Sequence, residues 1–333
     1  MDGAFLILVM VIILAVCFDF INGFHDTANA IATVVATRVL TPLQAILMAG
    51  LLNFLGAVSG TAVAKTVGAG LVDPKLATEV AVAAALLGAI AWNLITWYYG
   101  IPSSSSHALI GGILGAAVAE AGTAAPRWDA VVRNVVVPLF ASPVIGFLLA
   151  GGLMLLLMRG FFHSPPSTVS AVFGRLQVVS SAFMAFSHGG NDAQKTMGII
   201  TLALVSYYRL ETFDVPLWVI LTAATAMGLG TAMGGWRIIR TMGTRLAELR
   251  PIHGFAAETA AGTVIEAASR LGFPLSTTHV ISSAILGVGT AWRSSRVRWG
   301  VAGGIVTAWI LTIPVCAGLG FLTYLVLHAV TGR

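Results

Sequence analysis

The sequence predicts an all-α integral membrane protein of two inverted-topology repeats, with about 10–12 helical segments, several of them broken or re-entrant. Three observations carry this reading. The 333 residues are 57% hydrophobic and 9% charged, with a mean hydropathy of +0.92, whereas a soluble domain carries roughly 25% charged residues. Apolar stretches long enough to cross a hydrocarbon core of about 30 Å recur, and no polar stretch is long enough for a soluble domain. Two polar devices also occur twice. Asn22-Gly-Phe-His-Asp-Thr-Ala-Asn-Ala30 is echoed by His188-Gly-Gly-Asn-Asp-Ala-Gln-Lys-Thr-Met197, and Pro102-Ser-Ser-Ser-Ser-His107 by Pro274-Leu-Ser-Thr-Thr-His279. Duplicated membrane halves with polar breaks are the pattern of transporters.

In chain order the apolar segments are 4–22, 26–37, 42–64, 78–98, 104–121 and 130–158, then 168–186, 191–206, 216–236, 254–271, 276–292 and 297–330. Residues 4–22 lack a basic leader region and contain Asp19, so they read as a retained membrane helix and not as a signal peptide. The segments starting near 26, 104, 191 and 276 are short and begin at polar or proline-bearing breaks, as half-helices or re-entrant arms do. Pro165 and Pro166 mark the joint between a membrane repeat at 1–160 and a second at 167–333. Arg237, Arg240, Arg245 and Arg250, with Arg293, Arg296 and Arg298, form the densest basic loops and should face the cytoplasm. Their counterparts carry only Lys65, Lys75 and Arg127, offset by Asp73 and Asp129, as inversion requires.

The net charge of +5 belongs to these helix ends and not to a nucleic-acid surface. Cys17 and Cys316 lie in apolar segments as packing residues, giving neither a disulfide framework nor a metal motif. Trp92, Trp97, Tyr98 and Tyr99 read as an interfacial anchor, the 37 glycines mostly as close helix packing, and Glu266 with Arg270 as a local i,i+4 ion pair.

Ionisable groups inside a membrane are costly, so His25, Asp26, His107, His188, Asp192, Lys195, Glu258, Glu266 and His279 each need a reason. The hydroxyl runs Ser103–Ser106 and Ser276–Thr278 can cap helices whose free N–H groups point into the membrane, and two such starts with their dipoles suit a tetrahedral oxyanion. Carboxylates beside that anion need a cation or a proton between them. Asp26, Asn29, Asn191 and Asp192 offer oxygens to a hard cation such as Na⁺, Mg²⁺ or Ca²⁺. A carboxylate can also accept the proton of hydrogen phosphate, which sulfate lacks, so phosphate is preferred. Glu258, near a helix start, suits a gate or a cation relay.

At Gly23-Phe-His-Asp-Thr-Ala-Asn-Ala30 and Gly189-Gly-Asn-Asp-Ala-Gln-Lys-Thr-Met-Gly198 the chain resembles the PiT family of inorganic phosphate transporters, over both halves. The resemblance implies secondary active phosphate symport in a multi-pass cell-membrane protein of a bacterium, with an extracytoplasmic N-terminus. It implies phosphate contacts from Ser104, Ser105, Ser106, Ser276, Thr277, Thr278, Asn29, Asn191, Gln194 and Lys195, and coupling-ion roles for His25, Asp26 and Asp192. Asp26 and Asp192 would also take the divalent metal of a metal–phosphate complex. The sodium-type pattern has Asn where this chain has His25 and Lys195. A tethered ammonium can stand for an alkali cation, and an imidazole with an unperturbed pKa of about 6.5 can carry a proton. Both changes favour H⁺ over Na⁺. No resident cofactor and no nucleic-acid partner are expected; the lipid bilayer and a second copy of the chain are. Sodium coupling, a sulfate permease and a passive anion channel are the alternatives. An intramembrane hydrolase or transferase is disfavoured, because the repeat supplies two equivalent Ser/His sets where an active site needs distinct roles.

Overall fold

A computed structural model describes residues 3–72 and 78–331, all-helical apart from two isolated β-bridges. Lys75 and Asp73, which entered the charge comparison above, lie outside the described residues. Helix α1 (Gly3–Ala36) runs unbroken through the first motif. The segments expected at 4–22 and 26–37 are therefore one helix. Helices α2 (Pro42–Ala57) and α3 (Ala62–Lys65, continued by a wide turn to Gly70) are bent by 64° at a short break. Then come α4 (Glu79–Tyr99), α5 (Ser105–Ala121), and α6 (Trp128–Val131), which passes through a wide turn at Val132–Val136 into α7 (Val137–Gly160).

The second half opens with α8 (Pro166–Tyr208), which runs unbroken through the second motif, so 168–186 and 191–206 are also one helix. Helices α9 (Leu217–Met233) and α10 (Trp236–Arg240, continued to Arg245) are bent by 59°. Helices α11 (Pro251–Arg270), α12 (Thr277–Arg293) and α13 (Trp299–Thr331) complete the chain.

The glycines inside the two motifs suggested breaks; the lipid forbids them. A backbone group freed in hydrocarbon costs several kcal/mol, whereas glycine in a helix costs only about 1 kcal/mol relative to alanine. The glycines serve close approach instead. A Cβ on Gly23 would lie 2.6 Å from the Met227 carbonyl, and one on Gly189 2.1 Å from that of Asn53, so α9 lies directly on α1 and α2 directly on α8.

Among the described residues five helices are long and apolar enough to cross a membrane, or up to seven if each bent pair is one span. Helices α5 and α12 have 17 residues each, below the roughly 20 needed to span. The exterior carries Leu47, Leu51, Leu148, Leu156, Ile310 and Val326, and the interior carries the polar motifs, the reverse of a soluble protein. Cys316 is buried as expected. Cys17 is exposed on the apolar outer surface and so does not pack inside. Tyr98 and Tyr99 are exposed, whereas Trp92 turns inward to donate to Thr312 and Trp97 packs edge-on against Phe24 beneath the Arg237 guanidinium.

Inversion is visible in the α1–α8 pair. Ala30, Asp26 and Asp19 of α1 meet Ser181, His188 and Thr196 of α8 in the opposite order along the chain. At one end, the turn at Gly68 packs on Gly198, Val72 bridges Pro126, and Arg127 N–H donates to Leu71. At the other end, Gly243 packs on Ala32, Ala247 bridges Val297, and Arg298 N–H donates to Leu246. The two halves also interlock: α1 packs on α9, α8 on α2, α5 on α13 and α12 on α7.

Candidate functional site

The site forms where the middles of α1 and α8 meet the starts of α5 and α12. Ser104 and Ser276 are the N-caps of these two helices, their hydroxyls accepting from His107 N–H at 3.1 Å and His279 N–H at 3.3 Å. One hydroxyl of each run is therefore spent on its own helix. The following hydroxyls reach the motif helices. Asn29 donates to Thr277 Oγ1 at 3.1 Å and Thr278 Oγ1 at 2.9 Å, and Thr277 donates to Asp192 at 3.1 Å. Lys195 donates to Asp192, to Ser106 at 2.5 Å and to the Leu275 carbonyl at 3.0 Å. The equivalent positions 29 and 195 thus do equivalent jobs, each tying its motif helix to a short helix of the opposite half.

His25 Nδ1 lies 2.6 Å from Asp26 and Nε2 lies 3.0 Å from Thr96 Oγ1, with the Ser103 and Ser105 hydroxyls each at 3.5 Å. A doubly protonated ring would find an acceptor at each nitrogen. Asp26, His188 and Asp192 each present a ligand atom within 4.8 Å of the others. Asn53 gives its amide N–H to Thr231, so its carbonyl accepts from His188 Nδ1 at 2.9 Å. In the neutral ring the Nε2 lone pair then faces Asp192 Oδ2 at 3.2 Å, so these ligand atoms could share a cation.

The remaining expected residues are placed differently. Asn191 donates to Ser269 at 2.8 Å and to the Phe273 carbonyl at 3.3 Å, binding α8 to the α11–α12 turn. Gln194 accepts from Val63 N–H at 2.8 Å and so caps the start of α3, away from Asp192. His107 and His279 pack edge to face behind the helix starts, and His279 stacks on Trp309. Glu266 and Arg270 form their ion pair at the surface.

Glu258 lies beyond the first turn of α11, where the helix start no longer helps it. Hydroxyls and an amide hold it instead: Thr33, Ser180 at 2.5 Å and Gln177 at 3.2 Å. Sequence reasoning missed this set, and it missed Asp19, Asn22 and Thr96. One signal was available. Asp19, Asn22, Asp26, Asn29 and Thr33 recur every three or four residues and so form one polar stripe along α1.

A model described as the phosphate transporter family matches residues 22–168 and again residues 163–320, so each half carries the family's pattern. The chain belongs to the phosphate transporter family. A "probable low-affinity inorganic phosphate transporter" of Bacillus subtilis (strain 168) is 46% identical over 333 residues, covering 99% of this chain and all of that protein. One of the same description from Rhizobium meliloti (strain 1021) is 48% identical over 323 residues, 96% of each chain. A solved structure, "The sodium-dependent phosphate transporter", matches with a TM-score of 0.83 and 27% identity, covering 97% of this chain and 99% of that one. Members of the phosphate transporter family are permeases, so the hydrolase and transferase readings fall away, and the apolar helices are those of a multi-pass membrane protein.

Proposed function

We propose that this chain imports inorganic phosphate together with protons, by alternating access, and that it accepts phosphate as a neutral complex with a divalent metal such as Mg²⁺ or Ca²⁺. The observation that carries the proton reading is Lys195. Its ammonium lies between Asp192, Ser106 and Leu275, so a fixed positive charge already sits where a carboxylate would otherwise call for an alkali ion. His25 against Asp26 supplies a second protonatable pair. The metal–phosphate reading draws on the Asp26, His188 and Asp192 cluster, a nitrogen and two carboxylates that suit a divalent ion.

Phosphate itself would be held by Ser105, Ser106, Thr277 and Thr278 and by the two helix starts, with Lys195 and Asn29 positioning those hydroxyls. Asp26, Asp192, Lys195, Ser106, Thr277 and Thr278 are at most 3% exposed, so the site is closed to both sides. Entry therefore needs the short helices to part from α1 and α8, which is the movement alternating access supplies.

Labelled phosphate uptake into proteoliposomes tests substrate and cargo together. Mg²⁺ should raise the rate several-fold, and sulfate at equal concentration should leave it unchanged. Competition by sulfate would overturn the phosphate preference, and indifference to Mg²⁺ would overturn the metal–phosphate cargo.

A further inference from the structure

Two helical turns before Asp26, α1 carries a carboxylate that neither the duplicated motifs nor the phosphate site uses. Asp19 is fully buried, and neither carboxylate oxygen is held in a hydrogen bond. The Asn22 amide and the Thr196 hydroxyl are within its reach, and the Asn22 carbonyl oxygen and the Thr196 hydroxyl are themselves without partners. A bare carboxylate in such surroundings is among the most costly groups a membrane interior can hold. The repeat does not require it either: the corresponding position of α8 is Ala185.

We propose that Asp19 is a proton-binding site that passes the coupled proton to the phosphate site from the side opposite the arginine-rich loops. This rests on the proton-coupled reading above and names the group that receives the ion. Gly243, within that arginine-rich stretch, packs on Ala32 near the far end of α1, so this end of the stretch lies about 20 Å along the helix from Asp19, at 1.5 Å per residue, whereas Arg237, over Trp97 beside Phe24, lies nearer. The positive-inside rule assigns the loops to the cytoplasm and Asp19 to the outward half.

Two features favour a proton over an alkali cation. Asp19, Asn22 and Thr196 provide a carboxylate and two further oxygens, fewer than the six or so oxygens a hard cation takes. The Lys195 ammonium also acts on Asp19 from α8, so a second fixed cation would be repelled. The charged groups that bear on Asp19 are Asp192 and Lys195 of α8; His25 and Asp26 lie further along α1 itself. Helix α9 has no titratable side chain, and α4 has none between Glu79 and Tyr98. Asp192 makes it unfavourable for both carboxylates to be ionised together, which favours a proton on Asp19. The polar stripe through Asn22 and Asp26 supplies the path from Asp19 towards the phosphate site.

The experiment is Asp19→Asn in proteoliposomes, read in two ways. Uptake driven by an imposed pH gradient should fall at least tenfold. Phosphate exchange at equilibrium, which needs binding and movement but no net proton transfer, should stay within a factor of about two. Asp19→Glu, which restores a carboxyl, should recover gradient-driven uptake with a displaced pH profile. Retention of gradient-driven uptake by Asp19→Asn overturns the proposal while leaving proton coupling intact. Indifference of the unaltered protein to the pH gradient overturns the coupling reading beneath it. Should Asp19→Asn fail to fold, infrared spectra of the unaltered protein with isotope-labelled aspartate, compared with Asp19→Glu, decide. A labelled protonated carboxyl band that titrates over the pH range of uptake, and is absent from Asp19→Glu, supports Asp19; its persistence in Asp19→Glu excludes it.

Discussion

Asp192→Asn is expected to reduce phosphate uptake at least a hundredfold while the protein still inserts in the membrane. Two groups lose their anion at once: Lys195 and the Thr277 hydroxyl. Removing one member of a buried ion pair costs about 3–5 kcal/mol, and about 2.7 kcal/mol already corresponds to a hundredfold. Part of that cost is a loss of stability, because the Lys195 ammonium keeps only Ser106 and Leu275. The two contributions separate in the double variant Asp192→Asn with Lys195→Asn. Removing both charges should restore the unfolding midpoint in detergent towards that of the unaltered protein and leave uptake lost. Uptake within threefold of normal in Asp192→Asn would remove Asp192 from the transport site.

Lys195→Asn is expected to change the coupling ion. Without the ammonium, Asp192 and Asp26 become two carboxylates with His188 Nε2 between them, a set of donors that draws in a cation. Uptake driven by a pH gradient should fall at least tenfold, and uptake should become dependent on sodium. The sodium-type pattern, from which this chain departs here, carries Asn at this position, and the solved relative that matches the chain is described as sodium-dependent. A Lys195→Asn protein that still follows the pH gradient and ignores sodium would reduce Lys195 to a structural partner of Asp192.

Much of this was legible in the sequence because it is local. The duplicated motifs, the hydroxyl runs after Pro102 and Pro274, and the i,i+4 pair of Glu266 and Arg270 all fall within a few residues, where spacing alone states the geometry. The continuity of α1 and α8 was hidden, because Asn22-Gly23 and Gly189-Gly190 are turn signals in water and close-packing signals in lipid. The roles within the motifs were also hidden. Asn191 and Gln194 sit beside Asp192 in sequence, yet helical periodicity turns them towards Ser269 and Val63, away from the Asp26, His188 and Asp192 cluster. The cage around Glu258 draws on α1 and α8, more than 70 residues distant in the chain, and no pattern short of the fold places those side chains together. Asp19 was visible as a charge in an apolar run, but its lack of a partner is a property of the packed helices.

Proton coupling is tested most directly by reconstituting the unaltered protein into sealed vesicles with a pH-sensitive dye inside and labelled phosphate outside. One set of vesicles receives an inward proton gradient and another an inward sodium gradient at constant pH. Proton symport requires phosphate to accumulate above its equilibrium level only with the proton gradient, and the lumen to acidify as phosphate enters. Accumulation driven by sodium with no acidification, or flux that follows the phosphate gradient alone, would contradict it.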